Sequence, residues 1–155
     1  MKIAMLLLVA LASQPSVQAA SASPRERVEF LNSAKILPAH LPFSEAVRVG
    51  DMLYLSGQIG IKPGTMKLVP GGLADETRQA MDNIKHTLAA NGLAMRDIVK
   101  CTVMLSDMSK WSEFNDVYAS FFTDRYPARS AMGVSGLALG AQVEIECMAA
   151  DSHEH

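Results

Sequence analysis

The chain has 155 residues, 49% of them apolar and 19% charged, and a formal charge of −2. Such a composition belongs to a soluble globular protein, and the length suits one domain rather than two. With no basic patch it offers a nucleic acid no electrostatic foothold, and its Cys and His residues lack the paired spacing of a zinc site.

The first residues read as a secretory leader. Met1-Lys2 supplies a positive start, Ile3–Ala12 an apolar run too short to span a bilayer, and Val17-Gln18-Ala19 a small-residue cleavage point. Cleavage after Ala19 is expected, with Ala20 and Ala22 as alternatives; loss of Lys2 takes the charge from −2 to −3. The mature chain is expected to be exported, to the periplasm in a Gram-negative source, with no membrane attachment after cleavage. A buried N-terminal helix or a retained anchor is the competing reading.

Residues 20–27 are polar and expected to be loose, residues 28–151 form the domain, and residues 152–155 form a polar tail. Val28–Asn32 has the pattern of a short edge strand, and Pro38 and Pro42 bound the following connection. Ala46–Val49 and Met52–Ser56 flank Gly50-Asp51, a two-residue hairpin signal in which glycine accepts positive φ. The second strand continues into Gly57-Gln58-Ile59-Gly60. Glycine there implies either a bulge or the close approach of another group to the backbone.

A helix is expected from about Leu73 to Asn91, with Thr77, Ala80, Met81, Ile84 and Leu88 on one stripe. Asp75 and Glu76 suit the positive end of its dipole, and Gly92 stops it. His86 reads as a solvated helix residue. Ile98–Leu105 reads as a strand buried on both faces. A second helix is expected to start near Ser109 as N-cap, with Phe114, Val117, Tyr118 and Phe121 on its apolar side, widened by Trp111 and Phe122. Asn115 lies at the margin of that stripe, where a surface amide is the plain reading.

Two final strands, Ser130–Val134 and Gln142–Cys147, are expected as a pair joined by the loop at residues 135–141. Arg129 precedes the first, behind Pro127, and Glu144 lies in the second between Val143 and Ile145. A charge inside an apolar strand costs free energy unless it is exposed, paired or used. Arginine's planar fork suits a carboxylate ligand, and a nearby carboxyl group can orient water and pass protons. The pair therefore supports either a small anionic substrate with proton-transfer chemistry or a structural salt bridge. Cys101 and Cys147 are expected as buried free thiols, although an oxidising compartment would allow them to pair.

Strands and amphipathic helices in this order predict an α+β layer with helices on one sheet face. The uncovered face calls for another subunit. Several segments together resemble the RidA family (YjgF-like reactive-intermediate deaminases). They are Leu41–Val47, Leu55–Ile59, Thr77–Ala80, Asp97–Lys100, Phe114-Asn115 with Tyr118, Pro127–Ser130 and Val143–Glu146. The resemblance implies a chorismate-mutase-like mixed sheet with two helices on one face, and a homotrimer with ligand sites between subunits. It also implies cofactor- and metal-independent hydrolysis of 2-imino or enamino acids, such as 2-aminoacrylate, to 2-oxo acids and ammonia. Arg129 matches the arginine that binds the substrate carboxylate, and Glu144 the acid that positions water. Ser56, Gly57 and Asn115 match positions that line or support the pocket. Phe43 stands where family members often carry tyrosine, and Ala131 where they often carry cysteine. A carboxylate-binding module without turnover is the alternative, and an RNA-cleaving or translation-inhibiting protein a more distant one.

Overall fold

The computed structural model describes residues 27–38 and 40–152. The expected leader, the segment at 20–26 and the end of the tail lie outside the described residues. The fold is α+β: a seven-stranded mixed sheet with two helices on one face.

The strands are β1 (Val28–Leu31), β2 (Ala46–Val49), β3 (Met52–Leu55), β4 (Gln58–Ile59), β5 (Ile98–Leu105), β6 (Ala128–Gly133) and β7 (Val143–Ala150). Their order across the sheet is β1-β2-β3-β7-β5-β6, with β4 also pairing β7. The Gly50-Asp51 hairpin forms as expected, with Gly50 at φ 54°. β1 is the edge strand beside β2.

α1 (Leu73–Ala90) buries Thr77, Ala80, Met81, Ile84 and Leu88 against the sheet, and Gly92 behind it takes φ 77°. His86 is exposed, its Nδ1 2.7 Å from the Asp82 carbonyl. Glu76 does more than complement a dipole. It is buried, and its carboxylate accepts from Gln142 N at 2.8 Å and Gln142 Nε2 at 3.2 Å, which ties α1 to the start of β7.

α2 (Trp111–Ala119) begins one residue later than an N-cap at Ser109 indicates, with Lys110 at the N-cap position. A 3-10 turn, Met108–Lys110, comes first, and Asp107 rather than Ser109 is its cap: the Asp107 carboxylate accepts from Ser109 N at 2.9 Å and Ser109 Oγ at 2.7 Å. A carboxylate captures the free N–H donors better than a hydroxyl that has itself become a donor.

Three expectations are corrected here. The two final strands extend over Ala128–Gly133 and Val143–Ala150, and they are not a hairpin. β5 lies between them, parallel to β6 and antiparallel to β7. The loop between them thus crosses one strand. β5 is not buried on both faces either; Cys101, Val103 and Leu105 are buried under the helices, while Lys100, Thr102 and Met104 are half-buried on the open face. Finally, Cys101 and Cys147 form a disulfide. They sit directly opposite each other on β5 and β7, with Cα atoms 4.1 Å apart and both side chains in the core. Apolar context explained their burial, but register brought the sulfurs together.

The sheet face away from the helices carries exposed Val28, Phe30, Tyr54 and Met132. Phe30 is 72% exposed, unusual for a large apolar side chain on a sheet.

Candidate functional site

The residues singled out in the sequence separate into two groups, built on opposite faces of the sheet.

The first group surrounds Arg129. In the β5–β6 ladder Arg129 lies opposite buried Cys101, so its side chain points to the helix side. Its guanidinium carbon is 4.7 Å from the ring centroid of Trp111 and 4.7 Å from that of Tyr118. Those two residues are two turns apart on α2, roughly 10 Å along its axis, so the guanidinium lies between them. Its Nη1 donates to Asn115 Oδ1 at 3.0 Å.

Trp111, Asn115 and Tyr118 recur at i, i+4 and i+7, which puts all three on one helix face. Each cation–π contact contributes roughly 0.5–2 kcal/mol and restrains the guanidinium. Its planar fork of N–H donors matches the geometry of a carboxylate. Beside it opens a cleft of about 350 Å³ lined by Asn115, Tyr118, Ala119, Tyr126, Pro127 and Arg129. The Tyr118 hydroxyl is buried without a hydrogen-bond partner among the described residues. Burial pushes its pKa up to about 12, against the opposing pull of the Arg129 charge. Ala131, exposed, lies two residues along β6 on the same face as Arg129.

The second group surrounds Glu144. It lies opposite Met104 on β5 and Ile59 on β4, and therefore on the open face. From Tyr54 to Gln58 the chain advances one residue more than β7 does between Met148 and Ile145. Ser56 and Gly57 thus form a bulge that breaks one long strand into β3 and β4. The Glu144 side chain fills the space a side chain at 57 would occupy: a Cβ there would fall 2.9 Å from Glu144 Cδ. The close approach that the strand glycine foreshadowed is made by the protein's own acid.

Ser56 Oγ donates to the Ser44 carbonyl at 2.6 Å and so pins the segment carrying exposed Phe43 to the bulge. The carboxyl pKa of Glu144 is raised, first by burial and then by repulsion from Glu146 two residues along the same face. An acid poised this way takes up a proton more readily than one in water.

Arg129 and Glu144 do not meet within one chain. Two inter-strand steps of about 4.8 Å and three residues of about 3.3 Å put their Cα atoms about 14 Å apart, with side chains on opposite faces. A structural salt bridge between the two within one chain is thereby excluded. Asn115 is not an idle surface amide; it orients the arginine. Trp111, Tyr118 and Glu146 were not identified as site residues from the sequence; the 111, 115, 118 spacing around an apolar stripe was the available signal for the first two. Among the described residues no three His, Cys, Asp or Glu side chains gather as metal ligands.

Residues 33–151 match the family model described as endoribonuclease L-PSP. The chain belongs to this family, the RidA/YjgF proteins. It is 43% identical over 121 residues to the 2-iminobutanoate/2-iminopropanoate deaminase of Bos taurus, covering 78% of this chain and 88% of that protein. The crystal structure of RidA from the Antarctic bacterium Psychrobacter sp. PAMC 21119 superposes with a TM-score of 0.74 at 36% identity, over 79% of this chain and 98% of that one. E. coli TdcF with bound serine superposes with a TM-score of 0.74 at 32% identity, over 80% of this chain and 99% of that one. The RidA/YjgF fold expected from the sequence is the fold observed.

Proposed function

We infer that the protein is a 2-imino acid deaminase whose active site is completed between subunits. The observation that carries this is the Arg129 guanidinium, held between Trp111 and Tyr118 and oriented by Asn115 at the mouth of a cleft. The names of relatives near 40% identity support the reaction. The serine bound to E. coli TdcF, a ligand with a carboxylate, supports the anchor.

Arg129 takes the substrate carboxylate and so fixes the imine carbon. Glu144, contributed by an adjoining protomer, holds water against that carbon and accepts its proton. The resulting amino alcohol collapses to the 2-oxo acid as the proton passes to departing ammonia. Atoms balance as imine plus water giving oxo acid plus ammonia, and no cofactor enters. Ser56 and Gly57 seat Glu144, while Phe43 and Ala131 flank the two halves and tune the side chain accepted.

A homotrimer is the assembly in this proposal. Support comes from the exposed apolar open face and from the separation of the two halves in a single chain. Export to an oxidising compartment is supported by the Cys101–Cys147 disulfide; a secreted chain that still begins at Met1 would refute leader cleavage.

The test follows ammonia and oxo-acid release from an enzymatically generated imine, with wild type and Arg129→Ala side by side. Equal rates would sink the deaminase assignment. Ala131 and Phe43, which depart from the family pattern, favour one second reading, carboxylate binding without turnover. Tight binding of a 2-oxo acid with no ammonia released would establish it. Ribonuclease action, which the family's description names, is opposed by the acidic chain.

A further inference from the structure

The disulfide and the candidate carboxylate anchor share one row of the sheet. Cys147 on β7 faces Cys101 on β5, and Cys101 in turn faces Arg129 on β6, all on the helix side. A second route joins them through the core: Cys101 and Cys147 belong to the same buried cluster as Phe114 and Tyr118, and the Tyr118 ring stacks on Arg129. Among the described residues β6 is the last strand of the sheet, paired only to β5, so its position follows β5.

We propose that Cys101 and Cys147 are positioning residues for Arg129, and that their oxidation completes the carboxylate site. Two unbonded thiols must separate to van der Waals distance, which a covalent bond removes. In a core packed at crystal density that extra room comes only from moving β5 away from β7 or lifting the helix layer. Either movement displaces Arg129 relative to the rings of α2. Oxidation proceeds by exchange with a disulfide of a small molecule or a thiol oxidoreductase: two thiols and R–S–S–R give the Cys101–Cys147 bond and two R–SH. Once formed the bond is buried, with Cys101 0% and Cys147 1% exposed. It acts as a maturation step that finishes the site, rather than as a freely reversible switch.

The proposal rests on Arg129 as carboxylate anchor, and the experiment separates the two. Four proteins are compared with one 2-imino acid well below their unfolding temperatures: oxidised wild type, wild type refolded with a dithiol, Cys101→Ala/Cys147→Ala, and Arg129→Ala. The strands of the dithiol-refolded chain must spread, while the core of the double-alanine chain relaxes into the space the sulfurs leave. Both chains are expected to raise KM about tenfold with kcat within about twofold, since a small displacement in either direction weakens a positioned contact. Reoxidation restores KM only in the chain that retains its cysteines. Should the double-alanine chain not fold, Cys101→Val/Cys147→Ala, nearer in volume to the disulfide, replaces it. A KM unchanged by loss of the disulfide, while Arg129→Ala raises it, overturns the proposal and leaves the anchor intact. A KM that Arg129→Ala leaves unchanged overturns the anchor and the proposal with it.

Discussion

The Glu144 carboxylate rests against the α-carbon of Gly57, in the space that any side chain at that position would claim. A bulge between β3 and β4 brings the glycine there, and Ser56 holds the bulge to the Ser44 carbonyl. Gly57→Ala is therefore expected to push the acid aside. On the proposed mechanism kcat falls about 10- to 100-fold, because misplacing a reacting group by about an ångström has that effect, while KM changes little. Steady-state kinetics check it; a variant with wild-type kcat would remove Glu144 from the chemistry.

Arg129 is expected to be irreplaceable by lysine. Lysine keeps the charge but lacks the planar fork that lies between Trp111 and Tyr118 and donates to Asn115 Oδ1. Arg129→Lys should raise KM for 2-imino acids about tenfold or more, and Trp111→Ala should do so by a smaller factor, through loss of a contact of roughly 0.5–2 kcal/mol. Calorimetric titration with a 2-oxo acid product gives the same ranking without turnover.

The pH profile should carry the signature of Glu144. Its pKa is raised, by burial first and Glu146 second, and the ionised form is the one that accepts a proton from water. Activity is expected to fall as pH drops through that raised value. Glu146→Gln removes the repulsion and should move the acid limb to lower pH, though burial keeps the pKa above its ordinary value. For stability the sign is opposite: a carboxyl whose folded pKa exceeds its unfolded one favours folding below the unfolded pKa, and that contribution is lost as pH rises through the folded pKa. Glu144→Gln should therefore flatten the stability profile over that window, as read by denaturant melts at a series of pH values.

Tyr118→Phe should leave stability unchanged or raise it by up to about 1 kcal/mol, since the hydroxyl it removes is buried without a partner. Phe114→Ala, one turn earlier and fully buried, should cost about 3–5 kcal/mol. Urea midpoints compare the two; a large loss in Tyr118→Phe would reveal a bond to that hydroxyl in the assembled protein.

Reduction of Cys101–Cys147, which are 46 residues apart, is expected to lower unfolding free energy by about 4 kcal/mol on chain-entropy grounds. The comparison is between oxidised wild type and the dithiol-refolded chain in guanidinium.

Local signals carried much of the fold. The Gly50-Asp51 turn, the α1 stripe and the Gly92 stop all depend on residues within one or two turns of each other, so periodicity and backbone chemistry were enough to read them. The start of α2 differs from the expectation because Asp107 captures Ser109 N and Oγ and caps a 3-10 turn ahead of the helix, a choice of acceptor that only the folded turn shows. The segments around Arg129 and Glu144 were recognisable because several short family motifs occur in order along one chain.

The sequence by itself determined an α+β domain of the RidA type, an arginine and an acid worth following, and a glycine beside which something must pack. Tertiary structure alone decided that β5 separates β6 from β7, that Cys101 meets Cys147, and that Arg129 and Glu144 leave the sheet on opposite faces. The reason is physical: strand order and register are long-range choices, and one residue of register turns every side chain to the other face. Residues fifteen apart in the chain were thereby divided between two half-sites, while residues 46 apart were joined by a covalent bond.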